Sequence, residues 1–214
     1  MIDKTKELPD GYKYTELGVI PEDWDVKTLG EIGEAIIGLT YKPENIKSEG
    51  ILVLRSSNIQ NDKLSYEDNV YVDVDIPDKL GTKLDDILIC VRNGSRDLVG
   101  KCVLIDLSAA NLTFGAFMSV FRSPINKYLI HQLQSDLIQK QILDKMVATI
   151  TQLTNTYLYS FGIHIPPSQE QTSIAEVLSD MDEEIEALEQ KRDKVKLVKL
   201  GMMQELLTGR IRLV

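Results

Sequence analysis

The segment that sets the architecture is residues 166–209, PPSQEQTSIAEVLSDMDEEIEALEQKRDKVKLVKLGMMQELLTG. Pro166 and Pro167 forbid helix ahead of it, and Ser168 with Gln171 three residues on has the spacing of a capping box. Apolar residues then step by four and three through Ile174, Leu178, Met181, Ile185 and Leu188 and resume at Val195, Met202 and Leu206, the seam of a coiled coil. Gly209 is a stop signal, so the spacing predicts one helix over 168–208. Its charge is sorted end to end. Residues 168–189 carry eight acidic side chains and no basic one, whereas residues 190–214 carry seven Lys or Arg against Asp193 and Glu205. A helix dipole acts only on the terminal turns and does not call for a whole half of one sign. Parallel copies of this helix repel along their length; antiparallel copies lay each acidic half on a basic half. Arg192 and Lys199 fall on the seam. Either their long stems snorkel out while the seam bends around Val198, or the charges fix antiparallel register by facing Glu184 or Glu186 of a partner. Gly201 costs about 1 kcal/mol in a helix relative to Ala, and close approach by a partner helix is one reason to keep it.

Upstream, residues 1–11 are polar and read as loose. Residues 12–24 are turn-rich, with Trp24 as an anchor, and 29–37 read as a short helix closed by Gly38. Five runs rich in β-branched or aromatic residues follow, at 51–54, 70–74, 86–91, 101–106 and 116–121, separated by Asn, Asp, Gly and Ser clusters that mark strand ends. Ser123 and Pro124 open a second helical stripe through Ile125, Leu129, Leu133 and Leu137 to Met146, expected to end near Val147. A last strand is expected over 157–165. The division is therefore a mixed domain over 1–166 and a helix over 167–214.

At 214 residues, 43% hydrophobic and 27% charged, the chain has the composition of a soluble globular protein. Its apolar runs are too short to span a bilayer and its start lacks a signal-peptide core, so a cytoplasmic location is expected. Cys90 and Cys102 sit in strand-like runs without CxxC spacing and read as small buried hydrophobes. His131 and His164 lack neighbours at ligand spacing, so neither metal nor cofactor is expected. The net charge of −9 argues against nucleic acid, whose binding proteins normally carry a basic footprint. Residues 1–166 hold 17 basic and 23 acidic side chains, so any DNA face must come from local clusters of Arg and Lys.

Three segments resemble the specificity subunit of type I restriction-modification systems. Residues 12–24 (YKYTELGVIPEDW), with Leu29-Gly30-Glu31-Ile32, look like the lead-in to a target recognition domain. Ile165-Pro166-Pro167 with Glu170, Gln171, Ile174, Ala175, Leu178 and Asp182 looks like the start of the family's conserved helix, and residues 199–213 look like its close. The usual member carries two recognition domains and two such helices; this chain carries one of each and resembles a half subunit. The resemblance implies an α/β (α+β) recognition domain followed by a long helix in an antiparallel coiled coil. It also implies a non-catalytic role: binding double-stranded DNA for methyltransferase subunits, with restriction subunits able to join. No base-flipping methyltransferase motif, Gly-rich cofactor loop, Walker Lys or nuclease cluster is present.

Reading base edges needs Arg for guanine, Asn or Gln for adenine, and Ser or Thr for either. Two loops have that composition: Arg55, Ser56 and Asn58 after the strand at 51–54, and Arg92, Asn93, Ser95 and Arg96 after the strand at 86–91. A third group, Thr40, Tyr41 and Lys42, follows Gly38, itself read as a helix cap. The blander readings are that Asn93-Gly94 is a turn chosen for its backbone and that Arg55 forms a surface salt bridge. Asn111, Thr113 and 149–155 are polar loop without a sharper signal. The alternative function is an acidic interaction protein, a decoy or regulator that docks on a restriction complex through its helix and never touches DNA.

Overall fold

The computed structural model describes residues 8–146 and 152–214; expectations for residues 1–7, for Val147 and for 149–151 lie outside them. The elements run β1 (Tyr12–Thr15), β2 (Gly18–Pro21), β3 (Asp25–Thr28), α1 (Leu29–Ile32), β4 (Glu34–Ile37), β5 (Ile46–Lys47), β6 (Ile51–Leu54), β7 (Ile59–Gln60) and β8 (Lys63–Leu64). They continue with β9 (Tyr71–Val72), β10 (Ile87–Cys90), β11 (Cys102–Leu104), β12 (Thr113–Phe114), β13 (Met118–Arg122), α2 (Asn126–Gln134), α3 (Asp136–Lys145), α4 (Asn155–Tyr159), β14 (Gly162–Ile165) and α5 (Ser168–Leu207). This is a mixed α/β domain followed by a long C-terminal helix. The chain divides into two compact units, Met1–Thr172 and Ser173–Val214.

Two four-stranded sheets organise the first unit. One is antiparallel in the order β11-β10-β13-β4; the other runs β12-β6-β9-β5 with β12 parallel to β6. Strand β10 is buried on both faces, which explains its unbroken apolar run. Ile87, Ile89 and Val91 join Phe121 and the apolar faces of α2 and α3 in one core; Leu88 and Cys90 join Leu52, Leu54, Phe114 and Met118 in the other. The alternation of neighbours between two cores is the two-residue period of a strand. Cys90 and Cys102 are free and buried, and burial pushes their thiols up to about 11 and about 12, as expected of inert core cysteines.

All five strand-like runs contain strands, but three other assignments change. The expected helix over 29–37 stops at Ile32, and Glu34–Ile37 becomes the edge strand β4, registered against β13 from Ser119 to Arg122. Sheet pairing overrides the helical spacing. The helix expected from Ser123 starts at Asn126 and breaks at Ser135, whose ψ of 155° is extended and whose hydroxyl donates to the Gln132 carbonyl at 2.6 Å. After the break the buried face shifts by one residue, from the Leu129/Leu133 row to Ile138 and Ile142 rather than Leu137. The strand expected over 157–165 is α4 followed by β14, because the Thr154 hydroxyl accepts from the Tyr157 amide and starts a helical turn.

Helix α5 is 40 residues long and so spans about 60 Å. Its start is not the expected capping box: the Pro167 carbonyl already accepts the Gln171 amide, and the Gln171 side chain donates to the Pro166 carbonyl at 2.7 Å. Ser168 therefore stands one position inside the helix. Trp24 anchors this first turn, donating from Nε1 to Glu170 at 2.9 Å with its ring tilted against His164. Gly209, at φ 72°, donates to the Leu206 carbonyl and Ile211 to that of Glu205, a left-handed stop as predicted. Among the described residues no helix is long and apolar enough to cross a membrane.

Candidate nucleic-acid interface

The three polar segments follow the C-terminal ends of β4, β6 and β10, and one tight turn ties them together. In Gly115-Ala116-Phe117-Met118 the Met118 amide donates to the Gly115 carbonyl at 2.8 Å, closing a β-turn between β12 and β13. Gly115 donates to the Leu54 carbonyl at 2.9 Å at the end of β6, and the Phe117 carbonyl accepts from both Val91 and Arg92, at 3.0 and 3.1 Å, at the end of β10. The third tie is to β4: Gly38 donates to Met118 at 3.1 Å and Leu39 to Phe114 at 2.7 Å. A hub with its backbone this fully bonded holds the loop side chains in fixed relation.

Gly38 is thus not a helix cap. It lies where two chains cross, and a Cβ there would overlap the carbonyl oxygens of Gly115 and Phe114. Backbone, unlike a side-chain tip, cannot swing aside. Gly38→Ala is expected to lower stability by about 1–3 kcal/mol, the usual cost of overpacking, and urea denaturation checks it. An unchanged midpoint would mean that the crossing is loose.

Thr40, Tyr41, Arg55, Ser56 and Phe117 line a cleft of about 490 Å³ beside the hub. Asn93 bridges to it, donating from Nδ2 to the Ser56 hydroxyl at 2.9 Å while its Oδ1 accepts from the Ser95 amide at 3.0 Å. The Oδ1 bond is that of a turn, and the same side chain also ties the loop after β10 to the loop after β6. The Arg92 guanidinium lies 5.0 Å from the centroid of the Phe117 ring. Arg55 forms the salt bridge that its blander reading anticipated, 2.8 Å to Asp68, with a further bond to the Asp68 carbonyl. Lys42 pairs with Glu44 at 3.6 Å with both side chains largely exposed, an arrangement of small energetic worth. The buried Arg55 Nε and Ser57 hydroxyl, on residues of the cleft wall, have no hydrogen-bond partner among the described residues.

One predicted contact is corrected. Asn58 is fully buried; its Oδ1 accepts from the Arg55 amide and its Nδ2 donates to the Ser65 carbonyl at 2.8 Å and to Asn69 at 3.2 Å. It closes the loop and offers nothing outward. Arg96 is exposed, and its Nη2 also donates to the Met146 carbonyl at 2.8 Å, just past the end of α3, answering a carbonyl left over by the helix. Ser95 is exposed. Sequence reasoning missed Phe117, 54% exposed at the tip of the hub turn, because Ala116-Phe117 continues the apolar run of β13. The preceding Gly115 was the signal that a turn, not a strand, begins there. Among the described residues no group of three or more His, Cys, Asp or Glu side chains could hold a metal ion.

The first unit is thus a pair of sheets that gathers polar loops at one cleft. The chain belongs to the type I restriction modification DNA specificity domain family, whose model matches residues 21–197. It is 31% identical over 210 residues to the putative type I restriction enzyme MjaX specificity subunit of Methanocaldococcus jannaschii, covering 93% of this chain and 49% of that protein. To the EcoKI specificity subunit of Escherichia coli it is 28% identical over 204 residues, 91% of this chain and 44% of that one. The chain spans about half the length of the curated relatives it matches. Its fold is shared with the HsdS subunit of Thermoanaerobacter tengcongensis (TM-score 0.60, 16% identity, 91% of this chain and 47% of that one). The S subunit of M. genitalium gives a TM-score of 0.56 at 16% identity, with 86% of this chain and 46% of the other covered.

Proposed function

We propose that this chain is the non-catalytic DNA-recognition subunit of a type I restriction-modification complex and that it works as an antiparallel homodimer through α5. The family match over residues 21–197 carries the DNA assignment. Residues 1–166 act as the recognition domain and 167–214 as the pairing and docking helix. Methyltransferase subunits, and restriction subunits where present, are its protein partners. Thr40, Tyr41, Lys42, Arg55, Ser56, Arg92, Asn93, Ser95 and Arg96 remain the pool from which DNA contacts are drawn.

The pairing is supported by the seam. In the chain as described, Leu178, Met181, Ile185, Leu188, Val195 and Met202 are all exposed, an apolar stripe that soluble proteins normally cover. Setting Ile174 of one copy opposite Leu206 of the other matches the seam throughout: Leu178 meets Met202, Met181 meets Lys199, Ile185 meets Val195, and Leu188 meets Arg192. The twofold axis then passes by Gln190, where the sequence changes sign. Arg192, now bonded to Glu189 and Asp193 in its own helix, lays its stem on Leu188 of the other copy in this register. Its guanidinium, through that hydrogen bond, holds the exposed Asp193 carboxyl down at about 2.

A twofold homodimer presents two identical reading surfaces in opposite orientation, so its target is an inverted repeat around unread DNA. The spacer is shorter than about two DNA turns of roughly 34 Å each, since the helix pair is the ruler. Methylome sequencing of cells expressing the chain with its methyltransferase subunit is expected to return such a repeat. Deleting 188–194, one heptad, is expected to shorten the spacer and leave the half-site unchanged. An asymmetric split motif would mean that the chain pairs with a different second half. The net charge of −9 favours the rival, a regulator that docks on the complex without touching DNA; gel shifts with the methyltransferase subunit that retard no specific duplex would establish it.

A further inference from the structure

We propose that Phe117 and Arg92 form one composite reading head, in which Phe117 contacts the 5-methyl group of a thymine next to the guanine read by Arg92. The inference rests on the DNA-recognition reading above and names the base step that one part of the surface selects.

A single exposed aromatic is ordinary on a protein surface. Phe117 differs in how it is held. It occupies the third position of the turn closed by Met118 and Gly115, and its own carbonyl accepts two amides from the end of β10. The ring therefore stands out at 54% exposure on backbone that cannot relax to hide it. Ordering costs that weaken a flexible contact are met in advance.

Arg92 supplies the second half. It is exposed, and among the described residues it forms no ion pair; its guanidinium rests on the Phe117 face instead, 5.0 Å from the centroid. Arg55 and Lys42, by contrast, are paired with Asp68 and Glu44. Stacking leaves the edge of the guanidinium fork, with its paired N–H donors, free to meet guanine O6 and N7 in the major groove. Successive base pairs are stacked about 3.4 Å apart, so two groups 5.0 Å apart reach neighbouring steps of one groove. An apolar ring next to an Arg fork matches a thymine methyl next to a guanine edge, since that methyl is the apolar feature the major groove displays.

The test uses the full chain with its methyltransferase subunit and duplexes carrying the motif that methylome sequencing returns, each thymine replaced in turn by deoxyuridine, which lacks only the methyl. Removing one methyl contact is expected to weaken wild-type binding about fourfold at a single thymine per half-site, adjacent to a guanine. Phe117→Ala is expected to bind the thymine and uracil duplexes equally, and Phe117→Leu to keep part of the preference. Arg92→Lys retains the charge and loses the fork, so it is expected to relax the choice of guanine at the neighbouring position. A structural role for Phe117 would weaken all duplexes alike and leave the thymine preference intact, which overturns the inference. So does a half-site without a guanine–thymine step, or one in which no uracil matters. Absence of any specific binding by the wild-type complex would instead overturn the DNA-recognition reading itself.

Discussion

The 214-residue chain is expected to sediment as a dimer, and reversing Asp182, Glu184 and Glu186 to Lys is expected to leave it monomeric. The apolar seam of α5 runs over most of a helix about 60 Å long. Its exposed Met181, Ile185, Leu188, Val195 and Met202 lose contact with water only against another long surface, and a second copy is one whose charge already fits. In the register centred on Gln190, Asp182 approaches Lys196 of the other copy, with Glu184 and Glu186 flanking the same basic stretch. Single exposed pairs of this kind contribute about 0–1 kcal/mol. Three reversals per chain act six times in a homodimer and turn each attraction into repulsion, which is enough to move a dimer by several orders of magnitude in Kd. Lys194→Glu and Lys196→Glu added to the triple variant are expected to restore pairing, because the complementary sorting is then re-established with signs exchanged. Sedimentation at low and high salt reads both results; screening at high salt is expected to blunt the effect of the reversals. An intact chain that is already monomeric at micromolar concentration would remove the homodimer from the mechanism and leave a heterologous partner for the seam.

The long helix was legible because three independent signals coincide in it: two prolines before it, a four-three apolar step through it and Gly209 after it. Strands β6, β10 and β13 were legible for a related reason, since β-branched and apolar runs bounded by Asn, Gly and Ser leave few other options. What misled is where tertiary pairing decides. Residues 29–37 have helical spacing, but four of them gain a whole edge of pairing by lying against β13. Residues 126–145 carry an apolar stripe with no obvious breaker, and only the Ser135 hydroxyl bond to Gln132 reveals the change of helix. For the candidate site, composition found the loops and could not assign each side chain a direction. Asn58 and Asn93 look alike in sequence, yet one is sealed beneath a loop with its amide spent on Ser65 and Asn69, and the other braces two loops from above. Arg96 shares a segment with Arg92 and in addition bonds a helix end. Phe117 was hidden by its neighbours, since an apolar residue that begins a strand pattern looks the same whether it faces a core or solvent.

The largest loss of stability from a single change is expected at Asp86 or Arg122, which no motif or spacing singles out. Arg122, the last residue of β13, and Asp86, just before β10, form an ion pair at 3.0 Å with side chains 16% and 5% exposed. Arg122 donates from both Nε and Nη2 to the carboxylate, and Nη2 also donates to the Gly81 carbonyl at 2.6 Å. Asp86 accepts the Lys83 amide at 2.8 Å as well. The pair thus clamps the 79–86 loop onto the strands whose other ends carry Phe117 and Arg92. Coulomb attraction in such a place is largely offset by the desolvation of both charges, so the pair itself adds little net stability. Breaking it is another matter. Asp86→Ala leaves a guanidinium and its loop carbonyls in a pocket that water reaches poorly, and Arg122→Met leaves a carboxylate there with one backbone donor; each is expected to cost about 3–5 kcal/mol. The double variant Asp86→Leu with Arg122→Met removes both charges and is expected to recover much of that loss. Urea denaturation at fixed protein concentration reads the series, with midpoints falling for the single variants and the slope unchanged. A double variant that falls as far as Arg122→Met alone would show that the loop carbonyls of Lys79 and Gly81, which both variants leave without their Arg122 donors, set the cost instead of the uncompensated charge.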